Sequence, residues 1–422
     1  MKRINLICVL LLGLPTFIFS QNINGRFSSS IYTFERFDTA DVSSTYIRSY
    51  QMLNLNVNQG NYSFRSFLNL ESDLSKKMDY DPRLRFYNLY LEGRNIFDIA
   101  TIKLGRQPLF NSIAGGVFDG VNLDLKYKVV KLTGYYGGNV PAYQKLEITD
   151  KWKDDYIYGG KLSTTALPDF LIAVSFINKN FRPVDFTSNG VNTDPLKQQI
   201  ERNSNQYKFV SGEVSYEMKN IFNVETRYDY DLNFEKTSKF EASGRYEQIE
   251  NLGISLYYNY REPRVRYNSI FSVFDYGNSQ EIEAGADYRI NKFFTIDGRF
   301  GYVTYKDDNS KRFSVGVNSS FGGLSYRKTL GYAGELDAVS LYAAHSFMEG
   351  FITPSLGLTY STYKLSKEDT DKNSLTSILA GLNVRPWTVL SFDAQGQFMN
   401  NKLYKNDFRF LFKINYWFNT NL

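Results

Sequence analysis

The chain has 422 residues, a formal net charge of +5 at pH 7, 42% hydrophobic and 22% charged residues, and 17% aromatics, including 33 Tyr and 34 Phe. With one His, one Cys and 10 Pro, zinc sites, disulfide scaffolds, cysteine nucleophiles and histidine acid–base chemistry are all but excluded, so neither metal nor cofactor is expected. The charge excess is too weak to imply a nucleic-acid partner, whereas abundant Tyr, apolar at one end and wet at the other, suits a membrane interface.

Residues 1–20 have the pattern of a secretory signal peptide. Lys2 and Arg3 form its charged start, and Ile4 to Leu14 is an apolar run too short to span a bilayer as a helix. Pro15 breaks the run, and Ser20 precedes the expected cleavage before Gln21. Cys8 sits inside the apolar run, so residues 21–422 carry no cysteine and suit an oxidising compartment. Losing Lys2 and Arg3 lowers the formal charge from +5 to +3. Beyond residue 20 no stretch approaches eighteen consecutive apolar residues, which excludes spanning helices.

What remains alternates with period two, the mark of strands. Near the N-terminal end, Leu53, Leu55 and Val57 share a parity that Tyr46–Gln51 break, which predicts a bulge or a miscounted strand there. Further on, Ile282, Ala284, Ala286, Tyr288 and Ile290 alternate with Glu281, Glu283, Asp287 and Arg289. Phe294, Ile296, Phe300 and Tyr302 alternate with Thr295, Asp297 and Arg299. Leu390, Phe392, Ala394 and Phe398 alternate with Ser391, Asp393, Gln395 and Gln397. The last run sets Phe408, Phe410, Phe412, Ile414, Tyr416 and Phe418 against Arg409, Lys413 and Asn415. Such runs are about ten to thirteen residues long, more than the five or six of soluble strands and enough for the nine to eleven of a tilted membrane crossing.

The connections alternate too. Short ones are expected near 59–61, 93–95, 127–128, 166–168, 219–220, 248–251, 290–292, 320–322, 348–350 and 385–386. Between them fall polar and mostly longer ones at 38–43, 74–81, 108–116, 139–155, 180–205, 262–279, 306–310, 364–373 and 399–404, with shorter members near 233–236 and 331–335. Tight turns at one end and longer loops at the other characterise transmembrane barrels. The expectation is therefore an all-β, antiparallel, up-and-down transmembrane barrel over 21–422, of about 22 strands (16–22 possible), with both termini periplasmic. That leaves roughly 18 residues for each strand and connection.

If the apolar parity faces lipid, the other parity lines a lumen. Pore-lining candidates are Arg227, Glu225, Arg245, Glu241, Glu283, Asp287, Arg289, Asp297, Arg299 and Asp393. Arg65, Lys131, Arg261, Arg312, Arg327, Arg409, Asp124, Glu213, Glu217, Asp229 and Glu281 share that parity. So many ionisable groups need water or partners, so they line a wet conduit or lock a plugged lumen through salt bridges. Mixed signs leave ion selectivity open. Tyr416, Trp417, Trp387, Phe293 and Phe294 are placed in a periplasmic aromatic girdle.

Motifs for chemistry are few. His345 is followed directly by Ser346, without the intervening residue of the His-x-Ser pattern that outer-membrane hydrolase barrels use, and it reads as a turn or girdle residue. Asp369, Asp371 and Asn373 open like a calcium loop, but Ser374 and Ala380 stand where Gly and a bidentate Glu are required. Gly115-Gly116 with Gly120 lacks the following Gly-Lys-Ser/Thr of a phosphate loop and instead permits a tight loop re-entry.

One stretch resembles a family. Lys103-Leu104-Gly105-Arg106-Gln107, followed by Phe118-Asp119-Gly120-Val121, is similar to the LGRQ…FDG element of alginate-export-type porins. The resemblance covers about residues 100–125. It implies an outer-membrane barrel that passes anionic or small solutes, with Arg106 and Asp119 facing each other across a hairpin near the extracellular mouth. That family's dense arginine lining is not matched here, since acids are as common as bases. The expected function is a porin-like channel passing small hydrophilic solutes or a polysaccharide, embedded in outer-membrane lipid and not an enzyme. The alternative is a non-conducting structural or receptor barrel, or the membrane part of an export complex. Oligomeric state and solute are not legible in the residues.

Overall fold

Alternating side chains can satisfy lipid on one side and water on the other only if the backbone closes on itself, because an open sheet edge cannot stand in hydrocarbon. The computed structural model describes residues 21–421 apart from 40–41, 77–80, 111–112, 141–145, 147, 150–151, 182–205, 266–276, 307, 332–333, 366–369 and 403–405. The expected signal peptide and the 182–205 connection lie outside the described residues.

The strands are β1 (Asn22–Thr39), β2 (Val42–Gln59), β3 (Tyr62–Asp73), β4 (Arg83–Ile96), β5 (Ala100–Leu109), β6 (Gly116–Tyr127), β7 (Val130–Asn139) and β8 (Tyr156–Thr164). Next come β9 (Phe170–Asn180), β10 (Tyr207–Met218), β11 (Phe222–Asp231), β12 (Lys236–Tyr246), β13 (Leu252–Arg261), β14 (Ser279–Arg289) and β15 (Phe294–Tyr305). The chain finishes with β16 (Asp308–Ser319), β17 (Gly322–Gly331), β18 (Glu335–Ala344), β19 (Ile352–Lys364), β20 (Asn373–Trp387), β21 (Leu390–Asn401) and β22 (Asp407–Asn421). Each strand pairs antiparallel with its sequence neighbours in one 22-stranded sheet. β1 closes the ring on β22, from Asn22 opposite Asn421 to Thr33 opposite Phe410.

Both termini share one end, here the terminal end, with the tight turns. Gly60, Lys128, Asn220 and Asn251 there take positive φ, between 51° and 63°, the left-handed conformation a short hairpin needs. The longer gaps in sequence, such as those from β7 to β8 and from β9 to β10, join strand ends at the far end.

Register fixes the two faces. On β15 and β22, Phe294, Ile296, Phe300, Phe408 and Phe410 point outward and are exposed, the first 44% and Phe408 61%. Outward apolar side chains of this size on every side of a ring mark a surface that stands in lipid. Twenty-two strands about 4.8 Å apart and tilted about 40° make a ring about 40 Å across, which wall side chains alone cannot fill.

Three expectations need correction. The parity conflict at Tyr46–Gln51 is no bulge: β2 pairs with β1 and β3 in unbroken register across it. Tyr46 and Arg48 simply face inward, Tyr46 stacking on Phe34 at 5.5 Å and Arg48 lying 5.3 Å over the Phe34 ring. An aromatic cage beside a guanidinium tolerates the lumen, so apolar character alone misplaces these rings. The connections expected at 38–43 and 306–310 shrink, because β1 runs to Thr39 and β2 starts at Val42, and β15 runs to Tyr305 and β16 starts at Asp308. Trp417 leaves the outer girdle: it pairs in register with inward Arg26, and Arg385 lies 5.3 Å over its ring.

Candidate functional site: the inner wall and its inward-folded segment

The odd positions of β10 to β15 and the even positions of β16 place ionisable groups on one inner surface. Register brings Glu213 opposite Arg227, Arg227 opposite Glu241, and Glu225 opposite Ser243. Arg227 is held bidentate by Asp229, Nε to Oδ1 at 2.8 Å and Nη2 to Oδ2 at 3.0 Å. Arg245 grips Asp287 two strands away at 2.7 and 3.1 Å and also donates to Glu247. Arg299 lies 3.6 Å from Glu283, Arg312 pairs with Glu281, and Lys239 pairs with Glu241. Glu241 also accepts from the Tyr257 hydroxyl at 3.0 Å. Asp297 accepts from Asn318 at 2.6 Å. On the neighbouring wall Asp393 accepts from Asn383 and Asn415, at 2.5 and 2.8 Å. Arg289 closes its row at the terminal end, opposite Thr295. All ten candidates thus lie on the inner face. Most are joined into ladders, and many remain half-exposed to the lumen.

A second charged patch lines β3 to β5, and sequence reasoning missed most of it. Glu92 gathers Arg65 at 3.0 Å and Arg94 and Lys103 at 4.0 Å, while Glu71 gathers Arg48 and Arg85. The usable signal was weak because β3 and β4 shift register between Phe67 and Leu68, which scrambles parity there.

At the far end, residues 113–115, just before β6, pack inside the barrel. Ile113 and Ala114 are buried with Phe118, Tyr135, Ile157, Ile177 and Phe209, all from the inner wall of β6 to β10. The Lys179 ammonium donates to the Gly115 carbonyl at 2.8 Å. The Arg264 guanidinium donates to the Ile113 carbonyl at 2.7 Å and pairs with buried Asp229 at 3.3 Å. Burial lowers Arg264 below the usual guanidinium value and Asp229 opposes that. The glycines at 115, 116 and 120 had suggested re-entry. The apolar dock was missed, although its sign is visible: Phe118, Ile157, Ile177 and Phe209 put large apolar groups on the otherwise polar parity.

The LGRQ…FDG element sorts onto both faces of β5 and β6. Arg106 and Asp119 do face each other, bidentate at 2.8 and 2.9 Å, but on the outer face. They share parity with exposed Leu104 and Val121, and yet they are only 6% and 4% exposed. Thr149, between β7 and β8, covers Asp119. Thr149 gives both its backbone N–H and its hydroxyl to Asp119, at 3.0 and 3.2 Å. Trp152 donates to the Thr149 carbonyl and packs edge-on against Tyr136. On the inner face Gln107 lies flat, donating to the Gly120 carbonyl at 3.1 Å. Gly105 has φ 125°, and a Cβ there would sit 2.4 Å from the Leu89 carbonyl oxygen, so no other residue fits. Gly120 is similarly tight, 2.2 Å from the Tyr136 carbonyl oxygen.

His345 sits at the terminal end between Phe321 and Phe347, ring centroids 5.1 and 4.7 Å away. Ser346 shares a hydrogen bond with Thr353. Asp369 lies outside the described residues, Asp371 is exposed, and no cluster of three metal-ligating side chains occurs among the described residues.

No family model matches the chain, and no curated protein does. Solved structures do. A crystal structure of OccAB3 from Acinetobacter baumannii is similar at TM-score 0.44 and 10% identity, over 94% of this chain and 99% of that one. OpdQ from Pseudomonas aeruginosa is similar at 0.41 and 10%, over 96% and 98%. The translocation pore of the usher PapC gives 0.47 and 11%, over 95% and 100%. The architecture of this chain stands on its own strand pairing.

Proposed function

We propose that this protein is an outer-membrane channel, porin-like, through which small hydrophilic solutes diffuse along a charged, water-filled lumen. The observation that carries the reading is the inner wall. Ion ladders on a ring too wide for side chains to fill require water, since a dry interior would charge a large desolvation penalty for each. Selection then follows size and field rather than chemistry. The ten inner candidates are the residues proposed to line the route. The inward-packed residues 113–115 are proposed to narrow it, held by Lys179 and Arg264. The likeness to alginate-export-type porins goes no further than a shared strand–loop element, because its Arg106–Asp119 pair points away from the lumen. We place both termini and the tight turns in the periplasm.

Planar-bilayer recording tests this reading. Wild-type protein should give discrete steps in potassium chloride. Lys179→Ala with Arg264→Ala should give larger steps, because it frees the inward segment. Deleting 186–200, the core of the longest connection, should also enlarge them. Protein that is folded and heat-modifiable on gels but silent in every form would replace the channel with a closed structural barrel, a reading that the dense ion pairing favours.

Orientation has its own test. A protease site inserted within 186–200 should be cut on intact cells, and one at Lys219-Asn220 should be protected. The reverse pattern inverts the barrel.

A further inference from the structure

The inner wall is not uniform. From β10 to β16 it is a field of paired ions, but from β17 to β21 it is almost uncharged. There the charged inward side chains among the described residues are Arg327, Asp393 and, at the strand end, Arg385. Serine, threonine, asparagine, glutamine and glycine take most of the remaining places, with Leu336, Leu375, Leu379, Met399, two alanines and two tyrosines among them. Register lines up Ser325, Ser340, Thr359 and Ser377 in one row across four strands, and Thr359 donates to Ser340 at 3.3 Å. In the next row Tyr342 stands between Gly323 and Gly357. Asn318 lies over Gly323, Leu379 and the Tyr342 ring itself lie beside Gly357, and Tyr342 is 51% exposed inside the barrel. Gln397 donates to Ser377, and Gln395 lies opposite Gly381. The result is a trough of about 920 Å³ in the terminal half of the lumen.

We propose that this trough binds a neutral, polyhydroxylated solute, a short carbohydrate chain, with Tyr342 as its stacking platform. The proposal rests on the channel reading and names the class of solute that the channel favours. Three features point the same way. Hydroxyls and carboxamides both donate and accept, so they match sugar hydroxyls in either direction of travel. The half-exposed Tyr342 ring, with Leu379 near it in the trough, offers a surface on which the apolar face of a sugar ring stacks. The volume lies at the upper end of what small-molecule sites occupy. A charged solute would gain nothing from this wall, while a neutral one would have to displace tightly held water from the ion ladders opposite. The trough is shallow and open to water, so binding is weak enough to permit release, as transit requires.

The probe is maltotriose. Saturation-transfer NMR on detergent-folded wild type should show contact to the sugar. Tyr342→Phe should retain it, Tyr342→Ala should weaken it about tenfold, a difference of about 1.4 kcal/mol, and Gln395→Ala with Gln397→Ala should weaken it as well. Tyr257→Ala, which removes an aromatic from the charged wall, should leave the signal unchanged. Gel heat-modifiability verifies that each variant is folded. In planar bilayers the sugar should interrupt wild-type potassium chloride current and not that of Tyr342→Ala. Wild type that conducts but shows neither contact nor interruption overturns the trough and spares the channel. Contact without any conductance overturns the channel and spares the trough. Equal contact in wild type and Tyr342→Ala removes Tyr342 as the platform and with it the proposal.

Discussion

Arg106→Ala should destabilise the barrel by roughly 3–5 kcal/mol, the loss expected when one partner of a buried ion pair is removed. Asp119 would keep its two bonds from Thr149 but lose both guanidinium bonds in a site that is 4% exposed. On the outer face of a membrane barrel there is no water to take the place of the guanidinium. Arg106→Leu with Asp119→Leu should recover part of the loss, because both charges go while the Thr149 N–H and hydroxyl lose their acceptor. Urea unfolding in lipid vesicles, followed by gel mobility, measures each form. If the double variant is no better than the single one, the pair matters for more than mutual neutralisation. If the single variant costs less than about 1 kcal/mol, the pair behaves as an exposed surface bridge and its burial under Thr149 and Trp152 counts for little. Conductance of the surviving fraction should be unchanged, since neither side chain faces the lumen.

Barrel, strand number and inner face were legible because one physical fact controls all three: lipid outside and water inside impose period two on every strand. Ile282 to Tyr288 and Phe408 to Tyr416 carry that pattern on the outer parity, and register places those apolar residues as parity predicts. Legibility ends where a residue answers to a third environment. Phe118, Ile177 and Phe209 face inward because Ile113 and Ala114 supply an apolar partner, and no local pattern announces a partner from another part of the chain. Arg106 and Asp119 face outward where Thr149, between β7 and β8, supplies donors to Asp119, so the motif was readable as a pair but not as to side. Lys179 and Arg264 hold backbone carbonyls far away in sequence, contacts that leave no trace in composition. The neutral wall was visible as residues, since Ser, Thr, Gln and Gly crowd 314–397. Its meaning appears only when register sets Tyr342 between two glycines.

Phe412 and Lys413 are adjacent in the middle of β22 and should respond in opposite ways. Phe412 pairs with outward Ile31, and Lys413 pairs with inward Ser30 and Asp393. Phe412→Arg would place a guanidinium in hydrocarbon, at a cost of about 2–4 kcal/mol near the bilayer midplane. Part of that is relieved if the long side chain bends toward a headgroup. Assembly should fall accordingly, read as the heat-modifiable fraction after refolding into vesicles. Lys413→Glu changes the charge by two units, yet the lumen is wet. Its main penalty is a like charge opposite Asp393, less than about 1 kcal/mol across a strand pair. That variant should assemble almost normally and shift reversal potential toward cations in a salt gradient, because the substituted charge lies on the proposed route. The pair of substitutions separates membrane from lumen within one peptide unit. Equal tolerance at both sites would mean that the outer face does not meet lipid, and equal failure would mean that the lumen is not wet.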